Sequence, residues 1–202
     1  MNRLLNSLGI PSEIQSFFDI ENQLQFDYGA GIEVFDAGYH FVPSAETYYL
    51  RGSPASRKVV VTCSVMEAIA WSFFNLHDYP DMEHHAFAAL GNRPDLINFQ
   101  GLTALFPKRK FVLVFGCDLL GRATDIYVAA TLNRHLVRLD IIDRETIGIR
   151  LEQRIFQFEQ ERLSLNAFQK SFRIRTACRT SKPKAYNSYL DQLIAGHFPH
   201  EL

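Results

Sequence analysis

Two unbroken apolar runs dominate the hydrophobic pattern, Val59-Val60-Val61-Thr62-Cys63 and Phe111-Val112-Leu113-Val114-Phe115. Each stops at small or polar residues and passes into helically spaced sequence, Val65-Met66-Glu67-Ala68-Ile69-Ala70 after the first and Leu119-Leu120-Gly121-Arg122 after the second. Continuous apolar strands that feed helices mark a parallel sheet buried on both faces. The middle of the chain repeats this alternation, with strands expected at 58–63, 85–90, 110–116 and 136–141 and helices at 65–77, 98–106 and 121–134. The pattern predicts an α/β fold: a parallel sheet flanked by helices, with right-handed crossovers. In open sheets of this kind, ligands gather beyond the carboxyl ends of the strands.

The flanks read differently. Residues 1–20 predict a short helix, with Pro11-Ser12-Glu13 opening Ile14-Gln15-Ser16-Phe17-Phe18. Residues 24–51 alternate and turn as an N-terminal β-meander: Leu24–Tyr28, Ile32–Phe35, Tyr39–Val42 and Tyr48–Arg51, separated by Gly29-Ala30-Gly31 and Asp36-Ala37-Gly38. After Asp143, the runs Ile147–Leu151 and Arg154–Phe158 predict a hairpin, followed by a helix from Ser164, a basic irregular stretch and a last helix near 186–195. The expected organisation is a β-rich addition at 1–55, an α/β core at 56–145 and a basic C-terminal hairpin-plus-helix extension at 146–202 packed on the core.

At 202 residues the chain can hold one generous α/β domain with additions, and its composition is that of an ordinary globular protein. No apolar run approaches the ~20 residues of a membrane span. The first residues lack the apolar core and cleavage site of a signal peptide, and three widely spaced cysteines make no disulfide framework. A cytoplasmic location without a membrane partner is expected. The net charge of -1 hides an asymmetry. Met1 to Leu50 carries one basic residue against seven acidic ones, whereas Arg162 to Leu190 carries seven basic residues and no acidic one. Such a split marks either a polyanion-facing end or two ends that pack together.

The central part resembles a Toprim domain, the α/β module of bacterial-type primases, topoisomerases and related nucleases. In that family the first strand ends in Glu-Gly, a slot filled here by Cys63-Ser64, and Glu67-Ala68-Ile69 matches the helix that follows. The second strand leads into Gly-containing sequence, as His85–Leu90 leads into Gly91-Asn92. The third ends in Asp-x-Asp, a small residue, Gly and often Arg; this slot reads Gly116-Cys117-Asp118-Leu119-Leu120-Gly121-Arg122. Primase-like relatives on mobile elements carry a late Lys-Asp-x-Asn-x-x-Leu run, echoed by Lys184-Ala185-Tyr186-Asn187-Ser188-Tyr189-Leu190 without the Asp.

The resemblance implies Mg²⁺ chemistry at the strand ends, but two of the family's carboxylates are replaced, by Cys63 and Gly116. Mg²⁺ wants oxygen ligands in octahedral geometry, and a thiol is a poor substitute. Asp118 is the remaining metal candidate and implies at most a weakly held Mg²⁺; it is equally placed to cap the helix that follows. The other remnant positions are Cys63, Ser64 and Glu67, and Ser64-Val65-Met66-Glu67 also fits a capping box. The free amides behind Ser64 suit an anion. Cys63 and Cys117 lie close if the first and third strands are neighbours, as a thiol pair or as two small core residues. The adjacent His84 and His85 face opposite sides of a strand.

The implied function is that of a catalytically impaired Toprim-like protein that binds DNA or RNA, or partners a replication or mobilisation protein. Arg175, Arg179, Lys182 and Lys184, interleaved with aromatics, are the expected nucleic-acid contacts, with Arg122 as a phosphate clamp. One alternative is an active, divergent primase or nuclease that uses Asp118, Glu67 and metal brought with the substrate. The other is an interaction module whose acidic N-terminal part docks a basic partner.

Overall fold

The computed structural model describes residues 1–44, 47–78, 81–93 and 96–197. In chain order the elements are α1 (Arg3–Ser7), α2 (Ser12–Phe17), β1 (Leu24–Asp27), β2 (Ile32–Asp36), β3 (Tyr39–Phe41), β4 (Tyr49–Arg51), β5 (Lys58–Thr62), α3 (Val65–Asn75), β6 (His85–Ala89), α4 (Leu96–Leu105), β7 (Lys110–Val114), α5 (Leu119–Leu132), β8 (Val137–Ile141), β9 (Thr146–Leu151), β10 (Arg154–Glu159), α6 (Leu165–Phe172), β11 (Cys178–Thr180) and α7 (Tyr189–His197). The fold is mixed α/β. Among the described residues no helix is long and apolar enough to cross a membrane.

The central sheet has the order β11-β7-β5-β6-β4. Three of its strands are the expected ones: β5 pairs in parallel with β6 on one side and with β7 on the other. Their apolar sequences, Val-rich in β5 and β7 and Ala-Phe-Ala-Ala in β6, leave both faces apolar, and both are covered. Val60, Val112, Val114 and Phe87 pack with α1, α2, α3 and α7, including Leu5, Ile14, Ile69 and Leu193. Val59, Val61, Leu113 and Ala88 pack with α4, α5 and α6, including Phe99, Ile126 and Phe168. Alternate residues of each strand thus serve opposite cores.

The sheet departs from expectation at its edges. The strand expected at 136–141 as a fourth parallel member is β8, and it forms a separate antiparallel sheet, β10-β9-β8. The turn after Ile141 delivers β9 directly beside β8, with Ile141 opposite Ile147, and a local antiparallel pair forms more readily than a distant parallel one. The place beside β7 goes to β11, which comes from the stretch read as irregular; Arg179 sits opposite Val112. Tyr48–Arg51, expected to close the meander, supplies β4, which pairs antiparallel with β6. The meander itself comprises β1, β2 and β3. Sheet membership therefore crosses the expected boundaries at 55 and 145. The first twenty residues form two short helices in place of one, broken at Gly9 (φ 68°).

The hairpin of β9 and β10 and the helix after Ser164 match the reading, with Ser164 Oγ accepting the Ala167 amide at 3.2 Å. The two chain ends do pack together. Leu5, Leu8 and Ile14 share one apolar core with Leu190 and Leu193, a hydrophobic contact.

Phe172 closes the second core. It is fully buried and meets the rings of Phe156 and Phe168 at centroid distances of 4.8 and 4.9 Å. Phe172→Ala is expected to cost about 3–5 kcal/mol in urea unfolding. A loss below ~1 kcal/mol would show that α6 does not anchor the second sheet.

Candidate functional site

The order β7-β5-β6 places the third strand of the alternation beside the first, so the direction of winding reverses between β5 and β7. The carboxyl ends at such a reversal frame the crevice in which α/β proteins bind ligands. Thr62 and Val114 are partners in the register, which sets Cys63-Ser64 alongside Phe115–Asp118. The family-like positions of both strands therefore lie together. Helices α3 and α5 begin here, each presenting amides with no partner inside the helix.

Those amides are satisfied from within the chain. Ser64 Oγ accepts the Glu67 amide at 3.0 Å, the first half of the expected capping box. Glu67 does not reach back to complete it. Its carboxylate accepts the amides of Tyr189 (2.8 Å) and Leu190 (2.9 Å), and so caps α7. Burial pushes its carboxyl up, against the pull of those two amides. The anion expected at the amino end of α3 is Glu33, from β2: its carboxylate accepts Val65 N at 2.7 Å and Met66 N at 3.0 Å. Glu33 is fully buried and also accepts the Tyr28 hydroxyl at 2.6 Å, with His40 Nε2 at 3.1 Å. Burial, reinforced by this carboxylate, holds the Tyr28 phenol far above its ordinary value. The cradle is occupied by the protein itself.

At the end of β7, Asp118 takes the capping role. Its Oδ1 accepts the Gly121 amide at 2.7 Å, and its extended backbone is that of an N-cap. Gly121 is required: a Cβ there would lie 2.0 Å from the Gly116 carbonyl oxygen. Gly116 is crowded too, since a Cβ would meet Asp118 Oδ1 at 2.9 Å and the Asn187 amide group at 3.2 Å. Asn187 bridges this edge to the C-terminal segment, with its side-chain oxygen on Asp118 N and its carbonyl on Cys117 N, both at 2.8 Å. The late Asn of the 184–190 run is thus seated on the slot that carries Asp118.

Lys182 reaches the carboxyl end of β7. Its ammonium donates to the carbonyls of Phe115 (2.9 Å) and Gly116 (2.8 Å) and lies 2.7 Å from Asp125 Oδ2. Asp125 is 2% exposed, and its Oδ1 is buried with no hydrogen-bond partner among the described residues. Burial pushes the Asp125 carboxyl up to about 6, with Lys182 pulling the other way. The expectation that Lys182 faces nucleic acid is corrected by this geometry: an inward ammonium satisfies two strand-end carbonyls and a buried carboxylate.

The donors here do not fit Mg²⁺. Asp118 Oδ1 holds an amide, the two carbonyls and Asp125 Oδ2 hold an ammonium, and Cys63 is a thiol pushed up to about 12 by burial and by the charges of Glu67 and Glu33. Among the described residues no group of three or more His, Cys, Asp or Glu is arranged to hold a metal ion. Cys63 and Cys117 are both free thiols; Cys117 Sγ contacts the Pro183 carbonyl at 3.9 Å. His84 pairs with Asp81 at 2.6 Å in the open, whereas His85 is buried against Trp71.

Of the remaining expected contacts, Arg175, Arg179 and Lys184 are exposed and follow the β11 edge from its amino to its carboxyl end. Arg122 is half-buried, and its guanidinium donates to the carbonyls of Glu161 (2.9 Å) and Asp118 (3.3 Å).

Glu33 and Asp125 were not singled out from sequence, yet both leave a trace. Glu33 stands in phase with the inward Phe35 on an alternating strand, and Asp125 falls in the buried stripe of Gly121, Val128 and Leu132 on α5. A carboxylate at an apolar phase position signals a buried partner. The chain matches no protein-family model, no curated protein and no solved structure.

Removing one partner of a buried ion pair leaves an uncompensated charge. Lys182→Met is expected to cost about 3–5 kcal/mol in chemical denaturation, and Lys182→Met/Asp125→Leu to recover most of it. The carboxyl of Asp125 titrates higher in the folded state than its ordinary 3.8, so the folded protein binds more protons between about 4 and about 6. Asp125 therefore makes stability fall as pH rises through that window, and Asp125→Asn should flatten the slope.

Proposed function

We propose that this chain is a Toprim-like protein in which the cation site has been closed by Lys182, and that it binds nucleic acid alongside a replication or mobilisation protein without carrying out phosphoryl transfer. The observation that carries this reading is the ammonium of Lys182, bonded to the Phe115 and Gly116 carbonyls and paired with Asp125 at the strand end where the family resemblance puts Mg²⁺. A lysine supplies a fixed positive charge but offers no ligand exchange, so it cannot activate water or bind a leaving oxygen as a metal does. It can neutralise a strand end that would otherwise repel phosphates.

Two further features support the family reading. The third strand lies beside the first, and Asn187 of the late run docks on Asp118 across 69 residues of sequence. For binding, the supporting feature is the exposed basic series Arg175, Arg179 and Lys184 along β11. Phosphate contacts of this kind are electrostatic and indifferent to base sequence.

Fluorescence anisotropy with labelled single-stranded and duplex oligonucleotides tests the reading. Binding at low salt should weaken steeply as salt rises, and Arg175→Glu/Lys184→Glu should lower the salt slope by about 2. Absence of binding at low salt removes the nucleic-acid role. Nicking or primer synthesis with Mg²⁺ or Mn²⁺ that disappears in Asp118→Ala overturns the closed-site reading.

A further inference from the structure

The small antiparallel sheet ends at β8, which is hydrogen-bonded to a strand on one side alone among the described residues. Its flanks also gather exposed aliphatic side chains: Leu136 is 76% exposed, Ile141 74% and Ile142 49%. An open edge with apolar side chains is a template for pairing with another strand. We propose that β8 is a self-association edge, and that two copies of this chain join by antiparallel β8–β8 pairing about a two-fold axis through Leu139.

The sequence of the strand is complementary to its own reverse. A two-fold axis perpendicular to the sheet passes through one residue and keeps each side chain on the same face as its partner. Centred on Leu139, it sets Arg138 opposite Asp140, Val137 opposite Ile141 and Leu136 opposite Ile142 of the second copy. On the solvent face this gives two opposite-charge pairs flanked by two aliphatic pairs. On the other face it gives two aliphatic pairs around a Leu139–Leu139 contact. Cross-strand pairs of both kinds stabilise a sheet. Arg138 Nε and Asp140 Oδ1 already lie 2.8 Å apart within one strand, Arg138 exposed and Asp140 half-buried, so the charges stand at the edge where a partner would meet them. The match ends with the strand, since two steps beyond Leu136 Arg134 would approach Arg144.

The backbone phase agrees. Ile142 donates its amide to the Thr146 carbonyl at 3.0 Å, and Ile141 is partnered with Ile147. This fixes the even-numbered residues of β8 as those whose N–H and C=O groups turn toward β9. Val137, Leu139 and Ile141 turn theirs to the open edge. An axis through Leu139 makes these three the hydrogen-bonded positions, and puts Arg138 and Asp140 in the closer, non-hydrogen-bonded pair. An axis through Ile141 lacks this charge match, because Arg138 would face Arg144; one through Val137 sets Arg138 against Leu136 and leaves Asp140 to meet Arg134, which lies outside the strand. The arrangement is isologous and closed, giving a dimer and not a filament.

Sedimentation velocity and light scattering over a concentration series are the test, read beside the circular dichroism of each variant. A reversible dimer is expected. Arg138→Asp and Asp140→Arg each place like charges across the axis and should weaken the dimer by roughly tenfold or more. The double variant exchanges the two charges and should restore it; this arm carries the test where a single variant fails to fold. Leu139→Pro removes an outward N–H while sparing the bonds to β9, and should leave a folded monomer. A protein that is monomeric at every concentration overturns the proposal, as does a dimer indifferent to all of these substitutions. None of these results depends on nucleic-acid binding.

Discussion

The carboxyl edge of the central sheet is held by charges that the chain provides to itself. Three acidic side chains cap three helices: Glu33 on α3, Asp118 on α5 and Glu67 on α7. One ammonium, Lys182, closes the last carbonyls of β7. Two of these groups, Glu33 and Glu67, are almost wholly removed from water, where an unpaired charge would be prohibitive. Each is tolerated because it meets amides that would otherwise be unsatisfied, in charge-assisted hydrogen bonds worth about 1.5–3 kcal/mol apiece. The flanking segments consequently cannot be regarded as ornaments. The meander supplies Glu33, and the C-terminal segment supplies Lys182, Asn187 and the helix that Glu67 caps.

This arrangement gives the residues at positions 63, 116 and 121 a physical rationale. A side chain at position 116 would press on Asp118 and Asn187, and position 121 must be Gly because α5 starts against the Gly116 carbonyl. Cys63 lies between the fields of Glu33 and Glu67, which with its burial keep the thiol protonated. A carboxylate at the Cys63 position would add a third negative charge beside two buried ones, with no metal-free way to compensate it. The two buried carboxylates and the inward lysine form one electrostatic arrangement at this edge. The crevice at the strand ends is part of the packing.

The same economy explains the edges of the sheets. β8 leaves the parallel alternation because β9 follows it after a short turn, and β11 takes the vacant position beside β7 from far along the chain. One sheet is thereby completed by a distant segment, while the other ends on an aliphatic strand with charges of both signs. The first edge carries the exposed basic series, and the second carries the self-complementary one.

Local sequence determined the three inner parallel strands, the helices between them, the β9–β10 hairpin and the Ser64, Asp118 and Ser164 caps, because apolar runs, turn residues and capping side chains act over a few residues. That the first and third of these strands are neighbours was a condition the sequence left open, and the order β7-β5-β6 supplies it. Only the tertiary structure decided that Glu67 would cap α7, that Glu33 would take the amino end of α3, that Lys182 would point inward to Asp125, and that residues 178–180 and not 137–141 would extend the central sheet. Those outcomes rest on contacts between residues as much as 123 positions apart. Periodicity and propensity carry no information about which distant partner satisfies a buried charge or an open strand edge, because that choice is made by the free energy of the assembled core.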